Sequence, residues 1–305
     1  MSPAPGAGLP GMTEPQTQTL ETPGAVLTYD VRPGSAAEPP LLLIGSPMGA
    51  AGFGTLAARF GDRTVVTYDP RGAERSRRTD GATETTPEEH ADDLSRLIAT
   101  LGAGPVDVFA SSGGAVNALV LVARHPSQVR TLVAHEPPAL QLLPDREPAL
   151  AATRQVRDAY QASGFGAGMA GFIRLVGHRG PVPDDLGDLP DPAAFGLPAE
   201  DDGSRDDVLL GHNLISCTFH EHDIEALRAA ATRIVVAVGA GSDGELAHRC
   251  GLALAEQLGT APVVFPGGHG GFLGGEYGQT GEPEAFAATL REVLAGDRDA
   301  VPAGS

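Results

Sequence analysis

The residue types that can together turn a hydroxyl into a nucleophile, a serine, a histidine and a carboxylate, all occur here at the ends of apolar runs. The serine lies in Val106-Asp107-Val108-Phe109-Ala110-Ser111-Ser112-Gly113-Gly114-Ala115. A β-branched run there ends in a small-x-Ser-x-small pentapeptide, Ala110 to Gly114, and an Ala-rich apolar segment continues to Arg124. The pattern predicts strand, sharp turn and helix, with a serine at the apex. Such a turn strains its central residue, so the neighbours two positions away must be small. It also sets the hydroxyl at a helix N-terminus, where free backbone N–H groups can stabilise an oxyanion.

A serine hydroxyl is a poor nucleophile until a base takes its proton, and an acid must orient that base. The base candidate is His269, in a glycine-flanked loop, Gly267-Gly268-His269-Gly270-Gly271, after the apolar run Val263-Val264-Phe265. Glycines there remove bulk, so the imidazole can reach across a sheet edge. The other eight histidines have weaker placements; His90 and His248, for example, fall inside helical patterns. Two acids compete for the third role. Glu136 follows the run Val129 to Ala134, and Asp243 follows Arg233 to Val238 in Gly239-Ala240-Gly241-Ser242-Asp243-Gly244. Both keep the chain order Ser, acid, His.

The elements that must position these residues are legible as alternating patterns. Gly24–Val31 reads as an early strand or hairpin with a Pro-Gly turn after it at Pro33-Gly34, and apolar runs predict further strands at Pro40–Ile44, Thr64–Tyr68, Val106–Ala110, Val129–Ala134, Arg233–Val238 and Ala261–Phe265. Helices are expected at Phe53–Phe60, Pro87–Leu101, Gly113–Arg124, Glu245–Leu258 and Pro283–Leu294. The second has Thr86 to cap it, Pro87 at its first position and two glutamates in its first turn. Strands alternating with helices predict a parallel sheet covered on both faces, with the strand C-termini along one ligand-binding edge. From 139 to 231 the alternation stops. Helical patterns (149–161, 169–176, 208–219) flank an acidic, Pro-rich connector there, which predicts a helical insertion.

Composition narrows the function. With 305 residues, 41% of them hydrophobic, the chain can bury a sizeable core. A formal net charge of −18 argues against nucleic-acid and anionic-membrane partners. All 21 basic side chains are arginine, which excludes lysine Schiff bases and Ser-Lys dyads. No apolar run approaches a membrane span, no secretory signal is evident, and two cysteines make no disulfide framework, so a cytoplasmic location is expected. Residues 1–20, rich in Pro, Gly, Thr and Gln, are expected to be a disordered tail.

Ile44-Gly45-Ser46-Pro47, Asp69-Pro70-Arg71-Gly72, Ala110-Ser111-Ser112-Gly113-Gly114 and the His269 loop stand in the order and spacing of the α/β-hydrolase fold family. The chain resembles that family over roughly residues 20–295, and looks most like capped esterases and polyketide-tailoring hydrolases of actinobacteria. The resemblance implies an α/β fold with a mostly parallel eight-stranded sheet, helices on both faces and a helical cap. The core would be 21–138 and 232–297, and the cap 139–231. It implies Ser112 as nucleophile, because Ser111 would put Phe109 at a small position. Backbone N–H groups of Ser46 and Gly113 would form the oxyanion hole.

The chain departs from the family pattern at three places. Ile44 replaces the usual histidine before Gly45, and Ala110 replaces the first elbow glycine. The family's usual acid stands three residues past the glycine ending its strand, and here that residue is Ser242. A minority of the family carries the acid after the preceding strand, which Glu136 fits, so Glu136 is favoured over Asp243.

Other motifs are assigned blander roles. Gly239–Gly244 reads as a G-x-G-x-x-G fingerprint, but no acid follows at the end of the next strand, so no nucleotide cofactor is expected. Phe219-His220-Glu221-His222-Asp223 lacks the further ligands of a metal site, so no metal is expected. Arg71, Arg75, Arg77 and Arg78 read as a solvated loop. The expected activity is a serine hydrolase cleaving an ester, lactone or thioester of a small-to-medium apolar molecule. A serine at the elbow disfavours epoxide-hydrolase and dehalogenase chemistry, which use an aspartate there. The scaffold also admits a non-hydrolytic tailoring enzyme (a cyclase, acyl transferase or cofactor-free bond-forming enzyme) or a non-catalytic ligand-binding protein. The expected partner is a small molecule, and a homodimer is compatible with the sequence.

Overall fold

Among the described residues nine strands form one sheet. The coordinates are a computed structural model that describes residues 14–184 and 187–296. In chain order the strands are β1 (Gln16–Thr22), β2 (Ala25–Arg32), β3 (Leu41–Ile44), β4 (Val65–Tyr68), β5 (Arg77–Arg78), β6 (Val106–Ser111), β7 (Val129–His135), β8 (Arg233–Gly239) and β9 (Val263–Phe265). Across the sheet their order is β1-β2-β4-β3-β6-β7-β8-β9, with β5 paired to β2. From β4 through β9 along the sheet every pairing is parallel, while β2 pairs antiparallel with β1, β4 and β5. The resemblance implied eight strands; the two that no apolar run marked are β1 and the two-residue β5, the latter too short to leave a pattern in sequence.

The helices are α1 (Gly54–Ala57), α2 (Pro87–Leu101), α3 (Gly113–Arg124), α4 (Arg146–Val176), α5 (Leu214–Thr218), α6 (Ile224–Ala229), α7 (Leu246–Leu258) and α8 (Pro283–Ala295). The capping box expected at α2 is present: Thr86 accepts from the Glu89 N–H and Glu89 reaches back to the Thr86 N–H. Successive strand side chains point to opposite faces, and two cores follow. Leu42, Ile44, Val108, Ala110 and Leu132 pack against α2 and α3. Leu41, Leu43, Phe109 and Val133 pack with Phe53, Leu56, Phe286 and Leu290 on the other side.

Three expectations need correction. Residues 1–13 of the expected disordered tail lie outside the described residues, but Gln16–Thr22 is strand β1. A tight turn through Pro23 and Gly24 pairs Thr22 with Ala25 and the rest of β1 with β2, so backbone pairing orders a polar segment. Phe53–Phe60 is not one helix but a single α turn between two 3-10 turns. The helices expected at 149–161 and 169–176 are both longer than expected and meet within Arg146–Val176 (α4) at a kink at Gly164 (φ 83°, ψ −169°). That conformation is open to glycine and strained for other residues.

No strand of the sheet lies between β7 and β8 among the described residues. The segment has its own core, in which Leu140, Leu150, Val156, Tyr160 and Leu210 join Leu246 and Cys250 of α7. A π turn, Val208–Asn213, capped by Asp207, leads into α5.

Candidate active site

Ser112 sits between β6 and α3 with φ 56° and ψ −128°. A left-handed φ on a non-glycine residue is strained and is retained only where the surroundings enforce it. Here the Ser112 N–H donates to the His135 carbonyl at 2.9 Å, and the Ser112 carbonyl accepts from Ala115 and Val116 at 2.9 and 3.3 Å. The small neighbours have a steric cause. A Cβ added at Gly113 would lie 2.5 Å from the Ser46 carbonyl oxygen, and one at Gly114 would lie 2.5 Å from that of Ile44. The loop after β3 is fixed by Asp69, which accepts from the Ala50 N–H at 2.8 Å and from Arg75 Nε at 2.6 Å. Arg71 is buried against Asp93, Arg75 pairs with Asp30 and Asp69, and Arg78 pairs with Asp80 and Glu89, while Arg77 is exposed, so the arginine cluster near β4 is a solvated loop only in part.

His269 lies between β9 and α8. Its loop is tied to the end of β8 by the Gly241 N–H donating to the Gly267 carbonyl at 2.7 Å. Gly267 there has φ 76°. The imidazole Nδ1 stands 2.6 Å from Glu136 Oε2. An ionised carboxylate only accepts, so Nδ1 carries a proton, and in the neutral ring the lone pair is then on Nε2.

Glu136, immediately after β7, is buried and has φ 46°. Its N–H donates to the Ala237 carbonyl at 3.0 Å. Its Oε1 accepts from the Gly239 N–H at 2.8 Å and from the Ser242 hydroxyl. Burial pushes this carboxyl up, but the hydrogen bond from His269, the neighbouring histidines and the Ser242 hydroxyl outweigh it and bring it to about 2. Glu136 is therefore an anion at neutral pH despite its burial.

Asp243 is in a different setting. Its side chain is 84% exposed, and its carboxylate stands 3.5 Å from His248 Nε2. His248 in turn donates from Nδ1 to the Gly239 carbonyl at 3.1 Å and stands 3.6 Å from Glu136 Oε1.

Ser46, Ser112, Gly113, Glu136 and His269 all line one cavity of about 520 Å³. Its remaining wall is mostly apolar: Leu140, Phe172, Val176, Leu209, Leu214 and Phe272. Five of these six come from the segment between β7 and β8. Cys217 of α5 reaches the elbow, its Sγ 3.3 Å from a Cβ built at Gly113, and burial pushes its thiol up to about 12, so it stays protonated.

The sequence did not reveal the roles of Ser242, His248 and His135. Burial lowers His135 to about 4, leaving it neutral, and its ring lies against that of His269 with centroids 6.1 Å apart. Among the described residues no three His, Cys, Asp or Glu side chains gather to hold a metal ion. His220 and His222 are 4.9 Å apart, ring to ring, away from the cavity. The Gly239–Gly244 stretch is the end of β8, a 3-10 turn and the approach to α7.

The family model described as alpha/beta hydrolase fold matches residues 46–173. An uncharacterized hydrolase, YraK, of Bacillus subtilis (strain 168) is 34% identical over 271 residues, covering 83% of this chain and 89% of that protein. A thermophilic esterase from Thermogutta terrifontis superposes with a TM-score of 0.62 at 20% identity, over 93% of this chain and 99% of that one. A carboxylesterase structure from the thaumarchaeon Nitrososphaera gargenis gives 0.60 at 18% identity, over 92% and 98%. The chain belongs to the α/β-hydrolase fold family and is an enzyme of that type. Among the described residues no helix is long and apolar enough to cross a membrane.

Proposed function

We propose that this protein is a serine hydrolase that cleaves an ester, lactone or thioester of a small-to-medium apolar molecule through an acyl-enzyme. The observation that carries the reading is the 2.6 Å Glu136–His269 hydrogen bond in the wall of the same cavity as the strained Ser112. His269 Nε2 accepts the Ser112 proton as Oγ attacks the substrate carbonyl. Negative charge develops on the carbonyl oxygen, where the backbone N–H groups of Ser46 and Gly113 stabilise it. Glu136 holds the imidazole in the tautomer with Nδ1 protonated and offsets the imidazolium charge. The imidazolium then protonates the leaving alcohol or thiol. In the second half, His269 activates water, which attacks the acyl-enzyme and releases the acid with Ser112 restored.

Residues 139–231 act as a cap in this reading. Their apolar side chains over the serine select apolar substrates and restrict water. Among the described residues the cavity wall holds no arginine, so a carboxylate or phosphate on the buried part of a substrate finds no guanidinium partner there. Turnover of short-chain p-nitrophenyl esters tests the reading. Ser112→Ala is expected to lower kcat/KM by at least about 10⁴-fold. Unchanged turnover in that variant would contradict it.

A further inference from the structure

Ser242 occupies the 3-10 turn after β8, and its hydroxyl is buried against Glu136 Oε1. The hydroxyl also lies 3.2 Å from the Gly239 carbonyl, but it has one proton to give. An ionised carboxylate is the stronger acceptor, so the proton goes to Glu136. The two oxygens of Glu136 are thereby divided. Oε1 takes the Gly239 N–H and the Ser242 hydroxyl, and Oε2 takes His269. The turn that carries Ser242 is in turn fixed to the histidine loop, because the neighbouring Gly241 N–H donates to Gly267. A Cβ built at Gly268 would lie 3.8 Å from the Ser242 Cβ, so the Ser242 side chain packs against the loop of the base while its hydroxyl reaches the acid.

From this arrangement we infer that Ser242 is a positioning residue for Glu136: its hydroxyl holds Oε1 so that Oε2 faces His269. The inference rests on the reading of Glu136 as the acid of a serine hydrolase. It gives a physical reason why the turn after β8 carries a hydroxyl at the position where the resemblance led to an acid. A carboxylate there would meet the buried Glu136 charge, whereas a hydroxyl donates to it. Glu136 has a left-handed backbone and a side chain that must span from β7 to the histidine loop, so it needs a donor on the far side to fix its rotamer. The groups facing its carboxylate from other elements are Ser242 and the Gly239 N–H from the β8 end, His248 from α7, and His269 from the loop after β9.

Ser242→Ala tests this. A hydrogen bond to a charged acceptor that orients a base is expected to cost about tenfold in kcat, with KM within about twofold, because no substrate contact is lost. The far-downfield proton resonance of the His269 Nδ1–H is expected to shift, since the carboxylate it bonds has lost a donor. Thermal unfolding checks that the variant is folded. A parental kcat, or a lowered kcat with the resonance unmoved, would overturn the role. Glu136→Gln measured alongside separates the two levels. If Glu136→Gln turns over ester at the parental rate, the reading of Glu136 as the acid fails. If Glu136→Gln loses activity and Ser242→Ala matches the parent, only the positioning role fails.

Discussion

The ends of β7 and β8 lie side by side, and each is followed by a carboxylate, yet the two carboxylates differ in almost every respect. Glu136 is buried, takes three hydrogen bonds and is held down to about 2. Asp243 is 84% exposed and meets only His248 at ion-pair distance among the described residues. The difference begins in the backbone. At Glu136 a left-handed turn and the N–H bond to Ala237 direct the side chain inward, toward the histidine loop. At Asp243 the chain has already completed a 3-10 turn, and the inward position belongs to Ser242. Adjacent strand ends thus divide the work: one offers the charge, and the other offers donors to that charge.

The largest expected effect separates the two acids directly. Glu136→Gln is expected to lower kcat/KM on p-nitrophenyl esters by about 10³–10⁴-fold, because the amide nitrogen favours the wrong imidazole tautomer. Steady-state kinetics with a folded variant checks it.

Stability against pH gives the next effect. Glu136 has a depressed folded-state value, so its stabilising contribution is present above the unfolded value near 4.5 and is lost as pH falls toward 2. A shift of that size corresponds to roughly 3 kcal/mol in the limit. Chemical denaturation between those pH values should show the parent losing stability that Glu136→Gln does not lose, while Asp243→Asn follows the parent.

Gly239→Ala probes the donor side. A Cβ there would lie 2.8 Å from both Ser242 Oγ and the Gly268 carbonyl carbon, so the turn or the histidine loop must move. A loss of roughly 1–3 kcal/mol in unfolding free energy, with lowered kcat, is expected. The smallest effect belongs to Asp243→Asn, whose kcat/KM is expected to stay within about twofold of the parent, as for an exposed surface group.

Much of this was legible in sequence because it depends on local patterns. The small residues around Ser112 and the glycines around His269 mark sharp turns, and the apolar runs mark the strands. Glu136 was favoured over Asp243 through the family resemblance, since a minority of members carry the acid after that strand; in the structure Glu136 is buried and hydrogen-bonded to His269, while Asp243 is exposed. What stayed hidden depends on contacts between distant segments. Ser242 and Glu136 are 106 residues apart, and nothing local to either shows that they meet. Strand β1 was missed because its residues are polar and mostly exposed, although the Pro23-Gly24 turn joining it to β2 was a usable hairpin signal. The break at Gly164 and the π turn before α5 follow from packing within residues 139–231, where glycines and weak amphipathicity leave the helical pattern ambiguous.

The most direct test is the rate at which a fluorophosphonate modifies the protein, followed by intact mass and peptide mapping in the parent, Glu136→Gln and Asp243→Asn. The account predicts a single adduct on the peptide carrying Ser112, formed at the parental rate in Asp243→Asn and slowed about 10³-fold in Glu136→Gln. An adduct on another residue, or parental labelling in Glu136→Gln with slow labelling in Asp243→Asn, would contradict it.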